Sequence, residues 1–145
     1  MRKFDFQNNF IYKKFVHMAD TDATQNLYFT APLRFSTEAF ERFLHEEDFD
    51  LKGLQLPIVH TESDLFSPTK RGEELTIYLT LYKLGTSSFT LQTELFSDRL
   101  IGRNRIVHVA FDSVRKCSVE IPAELRALLL TIKGEEVVGN LKARE

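Results

Sequence analysis

Asp20-Thr21-Asp22-Ala23-Thr24-Gln25-Asn26-Leu27-Tyr28-Phe29 joins a strand-like run, Phe10-Ile11-Tyr12-Lys13-Lys14-Phe15-Val16, to the one long helical pattern of the chain, which runs to about Leu44. The run before it, Phe10–His17, carries Tyr and Val in partial alternation and reads as a strand. From about Leu27 the spacing turns helical: Phe29, Leu33, Phe40 and Leu44 form one stripe, with Ala39 and Phe43 beside it. Pro32 falls near the first turn, where its missing N–H does least damage, and Asn26 or Thr24 can cap the start. Asp20 and Asp22 therefore sit on a tight turn feeding a helix N-terminus, which points unpaired N–H groups outward and carries partial positive charge. A carboxylate beside such donors can attack, or deprotonate water near, a carbonyl whose oxygen the donors hold. The stretch points to acyl chemistry.

Beyond the helix lies the polar run His45–Lys52, with Gly53 as a turn signal. Pro57–Phe66 reads as a second strand, and Pro68-Thr69-Lys70-Arg71-Gly72 as a turn. Leu75–Lys83 sets Leu75, Ile77, Leu79 and Leu81 against Thr76, Tyr78, Thr80 and Tyr82, the alternation of a half-buried strand. Ser88–Ser97 alternates again, and Ile101–Asp112 and Val114–Ile121 read as the last strands, either one bent strand or a hairpin through Ser113. Pro122-Ala123-Glu124 opens a short helix reaching Leu130, with Pro122 expected at its first position. One long helix followed by a strand meander predicts an α+β domain with an antiparallel sheet packed on the helix. Met1–Asn9 and Lys133–Glu145 read as loose ends of a single domain whose core spans about 10–131.

The composition narrows the function classes. In 145 residues, 19 Lys and Arg nearly balance 21 Asp and Glu, unlike a basic nucleic-acid binder. No apolar run approaches the roughly 20 residues of a membrane span. Met1-Arg2-Lys3-Phe4-Asp5 lacks an apolar signal region, and one cysteine, Cys117, excludes an internal disulfide and a cysteine-cluster metal site. These points lead us to expect a cytoplasmic protein without membrane or nucleic-acid partners. Thirteen Phe and no Trp give Phe-rich packing with material for aromatic walls around an acyl group. Metal-ligand spacings, a Walker loop and a dinucleotide fingerprint are absent from the sequence, so neither metal nor cofactor is expected.

From Phe10 to about Leu130 the chain resembles the 4-hydroxybenzoyl-CoA thioesterase-like branch of the hotdog-fold acyl-CoA thioesterases. The resemblance rests on the Asp20-x-Asp22 loop before a long helix, and on Leu56-Pro57-Ile58-Val59-His60, Phe66-Ser67-Pro68 and Arg71-Gly72-Glu73-Glu74-Leu75 in order. Ser88-Phe89, Val107-His108-Val109-Ala110-Phe111-Asp112 and Ile121-Pro122 follow at comparable places. It implies a sheet curled around the helix and subunits paired sheet edge to sheet edge, as a homodimer or homotetramer. The implied reaction is hydrolysis of an acyl-CoA to free acid and CoA, with the CoA thioester as substrate and no cofactor. Leu56–His60 is similar to a run in the 1,4-dihydroxy-2-naphthoyl-CoA hydrolases of quinone biosynthesis, which favours an aromatic or bicyclic acyl group. Acyl-carrier-protein thioesters, and a non-catalytic acyl-CoA-binding module, are alternatives on the same scaffold.

The resemblance also implies roles. Asp22 matches the family's catalytic carboxylate, as nucleophile or general base; helix-start capping is its plainer role. Asp20 is expected to support the loop. Backbone N–H groups near Tyr28 and Phe29 are the expected oxyanion donors. Gln25 stands where many relatives carry Gly and Phe29 where some carry His, so Gln25 and Asn26 are expected at the substrate pocket. His60 and Glu62 share one strand face and would line the pocket if that face looks toward the helix; a sheet histidine bonded to a neighbour is the alternative. For CoA phosphates the candidates are Lys83, Arg103, Arg105, Arg115 and Lys116, with backbone amides at the Gly85-Thr86-Ser87-Ser88 turn; solvated strand ends explain each cation singly. Glu38 matches a Glu common in the family, with a surface or interface carboxylate as its plainer role, and His17 and His108 are expected to be structural. Cys117 is expected to be a packed or inert thiol.

Overall fold

Leu75, Ile77, Leu79 and Leu81 are all buried on one face of their strand, as the alternation requires. The computed structural model describes residues 9–134. The order is β1 (Phe10–Phe15), a short 3-10 turn (Met18–Asp20), α1 (Ala31–Glu46), β2 (Leu54–Gln55), β3 (Ile58–Leu65), β4 (Glu74–Leu84), β5 (Ser88–Phe96), β6 (Leu100–Val109), β7 (Phe111–Asp112), β8 (Cys117–Ser118) and α2 (Ala123–Leu130). Five strands pair antiparallel in the order β1-β4-β5-β6-β3, which leaves β1 and β3 as edges. α1 crosses one face of this sheet.

The helix buries Phe35, Ala39 and Phe43, a row spaced by four, with Ala31, Pro32, Ser36 and Phe40 beside it. The expected stripe is therefore rotated: Leu33 and Leu44 are half-buried and Phe29 is 64% exposed. Two apolar clusters fill the space between helix and sheet, and Tyr12 packs against both. One of them, Val16, Leu27, Ala31, Phe35, Ala39, Leu75, Ile77, Leu95 and Ile101, forms the floor beneath the Asp20–Phe29 stretch. Truncating Phe35 or Phe43 to Ala would cost about 3–5 kcal/mol.

Three boundaries differ from the sequence reading. The helix starts at Ala31, not near Leu27, and its N-cap is Thr30 with Pro32 in the first turn. Tertiary hydrogen bonds hold the preceding residues extended: Leu27 N–H donates to Thr69 O (2.7 Å) and Tyr28 N–H to Asp20 O (2.8 Å). The strand expected at Val114–Ile121 is a two-residue piece, β8, in a separate small sheet ordered β2-β7-β8. β6 ends at Val109, and the Ala110 N–H that follows still donates to Ser87 O (2.8 Å). Pro122 is the N-cap of α2 and not its first residue. Of the expected loose ends, residues 1–8 and 135–145 lie outside the described residues; Asn9 is buried with its side-chain oxygen accepting from Thr80, and Ile132 is fully buried. Cys117 is exposed, so of the packed or inert thiol expected there the packed alternative is not observed.

Candidate functional site

The Asp20–Phe29 stretch folds into a pinched hairpin. Thr21 and Leu27 bridge antiparallel, Asp22 N–H donates to Asn26 O (3.0 Å), and Gln25 N–H donates to Asp22 O (2.9 Å). Gln25 has φ +66°, the left-handed conformation that closes a turn of this length. That geometry gives a physical reason for the Gly that the resemblance implies at this position: the requirement is a positive φ, not only room for a ligand.

The loop grips both of its carboxylates in different ways. Asp20 is 4% exposed; Oδ2 accepts the His17 N–H (2.9 Å) and Oδ1 accepts from Arg34 on α1. Burial pushes its pKa up, but Arg34 and the His17 N–H outweigh burial and hold it below the usual carboxylate range. Asp20 thus ties the loop to the helix. Asp22 is exposed, and its Oδ1 accepts both the Thr24 hydroxyl and the Thr24 N–H (2.8 Å). Those two bonds hold its pKa below the usual range, so the group is an anion at neutral pH. Both Thr24 bonds fall on Oδ1, which leaves Oδ2 the less engaged oxygen.

The donors expected at Tyr28 and Phe29 differ in availability. Tyr28 N–H is spent on Asp20 O, so it is not an oxyanion donor in this arrangement. Phe29 N–H makes no hydrogen bond among the described residues. It lies two residues before the first turn of α1, where peptide dipoles favour negative charge. Below that turn, Asn104 Nδ2 donates to Pro32 O (3.0 Å) and Ser36 Oγ (2.9 Å), and its Oδ1 accepts from Ser63 Oγ (2.6 Å). This buried polar knot ties the start of α1 to β6 and to edge strand β3. Nothing in the sequence alone singled it out, because Ser36, Ser63 and Asn104 come together only through the register.

The helix-side expectation for His60 and Glu62 fails. They pair with Val107 and Arg105, while Ser63 and Thr61 pair with Asn104 and Ile106, which are buried against the helix. Directly paired residues share a face, so His60 and Glu62 lie on the outer face of the sheet. His60 Nε2 and Glu62 Oε1 are 3.0 Å apart and both side chains are more than half exposed. Arg103 and Arg105 lie on that same outer face: Arg103 pairs with Glu94 (3.2 Å), and Arg105 Nε donates to Gln92 Oε1 (2.8 Å) with its guanidinium 4.0 Å from the Tyr82 ring. The turn before β5 is also engaged. Gly85 N–H donates to Ser88 O (2.8 Å), and Arg126 donates to the Gly85 and Thr86 carbonyls. Ser87 O accepts from Ala110, and Lys83 is exposed at a register shift in β4. These residues form no common cluster with Asp22. His108 stacks on Phe89 (5.2 Å between centroids), faces Leu56 O (2.9 Å) and has its pKa lowered by burial, as a structural histidine would. Glu38 joins Lys14 (3.1 Å) and Arg34 (3.4 Å) where α1 meets β1.

Two clefts compete as sites. A 260 Å³ cleft runs between Asn26 and Leu27 on one side and Leu65, Phe66 and Thr69 on the other, so it joins the Asp22 loop to the end of β3. A 520 Å³ cleft lies at the other end of α1, about 24 Å away by helix rise, between Phe49, Leu54, Val119 and Glu124. The smaller cleft, like the larger, has neither Asp22 nor Phe29 in its walls, but it begins at Asn26, whose carbonyl accepts the Asp22 N–H (3.0 Å); the larger has no such link. Its Asp112 is tied down by the Val114 and Arg115 N–H groups and the Arg115 guanidinium. Chemistry therefore favours the smaller cleft.

The comparisons with known proteins agree with the fold. The thioesterase-like superfamily matches residues 16–129. A 1,4-dihydroxy-2-naphthoyl-CoA hydrolase of Crocosphaera subtropica is 32% identical over 111 residues, covering 70% of this chain and 81% of that protein. One of Thermosynechococcus vestitus is 32% identical over 129 residues, covering 81% and 86%. The crystal structure of a 1,4-dihydroxy-2-naphthoyl-CoA thioesterase from Synechocystis superposes with a TM-score of 0.78 at 26% identity, over 84% of this chain and 96% of that one.

Proposed function

This chain belongs to the thioesterase-like superfamily, and from that membership we propose that it hydrolyses an aromatic acyl-CoA of the 1,4-dihydroxy-2-naphthoyl kind to the free acid and CoA. The observation that carries the proposal is the pairing, on one short stretch, of an ionised Asp22 with an unspent Phe29 N–H. The relatives named above support the substrate class.

In the proposed reaction the thioester carbonyl oxygen accepts from Phe29 N–H, and Asp22 Oδ2 attacks the carbonyl carbon. The C–S bond breaks, CoA leaves as its thiolate and takes a proton from water, and a second water cleaves the resulting anhydride to regenerate Asp22. The lowered pKa keeps Asp22 ionised at neutral pH, the form that either direct attack or activation of a water requires. A single backbone donor of this kind is worth about 3 kcal/mol in the transition state.

Asp22 is exposed on the single chain, and a water-excluded site needs a second wall. We infer that a second protomer supplies it along β3. Every residue of that edge strand is exposed, including Ile58, Val59 and Leu65, and its end forms one side of the cleft next to the loop. No helix among the described residues is long and apolar enough to cross a membrane. The free, exposed Cys117 and a CoA substrate fit a reducing, cytoplasmic setting.

Thiol release from benzoyl-, 1,4-dihydroxy-2-naphthoyl-, phenylacetyl- and palmitoyl-CoA tests the proposal. The bicyclic aromatic thioester should have the highest kcat/KM. A preference for the fatty acyl chain would overturn the substrate class, and no release from any of them would leave a binding module instead.

A further inference from the structure

Arg34 has no part in the reaction as described, yet the contacts that hold the Phe29 N–H lead back to it. That donor belongs to the Tyr28–Phe29 peptide, and a trans peptide points its N–H opposite its C=O. Tyr28 O accepts the Ala31 N–H (2.9 Å), so the first residue of α1 pins the donor's own peptide. The peptide before it is pinned as well, because Tyr28 N–H donates to Asp20 O (2.8 Å). With both peptide planes at Tyr28 held, the Phe29 N–H keeps one direction.

Asp20 holds Tyr28 only if Asp20 is itself held. Its carboxylate is clamped between the His17 N–H (2.9 Å) and the Arg34 guanidinium. Arg34 lies on the first turn of the helix that begins at Ala31. The helix therefore grips the donor peptide twice: directly through Ala31, and by way of Arg34, Asp20 and Tyr28. Arg34 is fixed in turn. Its guanidinium lies 5.1 Å from the Phe35 ring centroid, and Nη1 is 3.4 Å from Glu38 Oε1, one turn on. Glu38 is held from β1 by Lys14 (3.1 Å) and by the Tyr12 hydroxyl (3.3 Å).

We propose that Arg34 is a positioning residue for the oxyanion donor: by clamping the Asp20 carboxylate it sets the direction of the Phe29 N–H. The inference rests on the thioesterase reading above and adds to it the residue that aims the donor. A backbone donor works only where it meets the oxygen on which negative charge builds. A misplacement of about 1 Å costs about 100-fold in rate. Without the guanidinium, the Asp20 carboxylate, whose side chain is only 6% exposed, loses the cation bonded to it. The 17–20 turn is then released from α1, and Tyr28 moves with it.

Arg34→Met keeps an apolar stem over the Phe35 ring and removes the guanidinium. On 1,4-dihydroxy-2-naphthoyl-CoA its kcat should fall about tenfold to 100-fold with KM within about twofold, because the donor contributes in the transition state. Asp20→Asn should lose about as much, and the double variant no more than either alone, as for two residues acting through one contact. Arg34→Lys keeps a cation beside Asp20 and should restore the larger part of kcat. The direction itself is read from the residual dipolar coupling of the Phe29 N–H bond in weakly aligned free protein. That coupling should change in Arg34→Met, with those of the later α1 turns unchanged, and return in Arg34→Lys. Should Arg34→Met not fold, Asp20→Asn breaks the same contact from the other side and is read in the same way. An unchanged Phe29 coupling, a kcat within about twofold of wild type, or losses that multiply in the double variant would overturn the proposal while leaving the Asp22 chemistry intact. If the wild type hydrolyses no thioester, the thioesterase reading fails, and the Phe29 coupling alone decides whether Arg34 sets this N–H.

Discussion

At the scale of single residues, the loop separates two carboxylates that the sequence shows as a matched pair. Asp20 is buried and bonded to Arg34 and His17; Asp22 is exposed and bonded to its own turn. Asp20→Asn should lower stability by about 1.5–3 kcal/mol, the worth of hydrogen bonds to a charged partner. The sign of the pH dependence follows from a depressed native pKa. The Asp20 contribution is full above the ordinary value of 3.8 and disappears as pH falls through the lower native value. Denaturation of wild type and variant at pH 7 and pH 2.5 should show the gap closing in acid; a gap that widens in acid would refute the assignment. Gln25, at φ +66°, supplies a second prediction. Gln25→Gly should match or exceed wild-type stability by up to about 1 kcal/mol, whereas Gln25→Val should cost about 1–2 kcal/mol, because β-branched residues resist that conformation. Urea unfolding reads both. The Asp-x-Asp spacing was legible in the sequence. Which of the two is buried was not, because that depends on Arg34, fourteen residues on and brought back by the first turn of α1.

At the scale of elements, periodicity located the helix and the strands but misplaced the helix start by about four residues. Leu27, Tyr28 and Phe29 continue the apolar spacing, yet the Leu27 and Tyr28 N–H groups donate to Thr69 and Asp20 across the chain. Tertiary partners overrode the local pattern there. That difference matters for function, since a helix starting near Leu27 would free the Tyr28 N–H that Asp20 O now takes, while the Phe29 N–H is unspent in either case. The face of β3 was illegible for a similar reason: period two says that His60 and Glu62 share a side, and only the pairing with β6 says which. Gly102 shows how tightly that pairing is built, because a Cβ there would lie 2.7 Å from the Asp64 carbonyl oxygen. Gly102→Ala should therefore push the end of β3 off the sheet, with Leu65 and Phe66 and one wall of the cleft. We expect a loss of stability of about 1–3 kcal/mol with a raised KM. Wild-type values of both would show that the edge strand yields without affecting the site.

At the scale of the whole molecule, one long helix packed on an antiparallel sheet followed from the order of patterns in the sequence, and the hotdog arrangement from the family resemblance. The small β2-β7-β8 sheet did not, because its strands are two residues each and carry no period. The sheet leaves β3 as an edge next to the Asp22 loop, so assembly and the proposed activity should be coupled. Val59→Lys with Leu65→Lys, both on that edge, should give a folded monomer in light scattering with little hydrolysis; an active monomer would remove the partner from the site. The account as a whole rests on Asp22 facing the thioester opposite Phe29 N–H. The most direct measurement is kcat of Asp22→Asn on 1,4-dihydroxy-2-naphthoyl-CoA, taken with its thermal midpoint. The account predicts a fall of about 100-fold or more with the midpoint little changed, since the side chain is exposed. A kcat within a few-fold of wild type would contradict it.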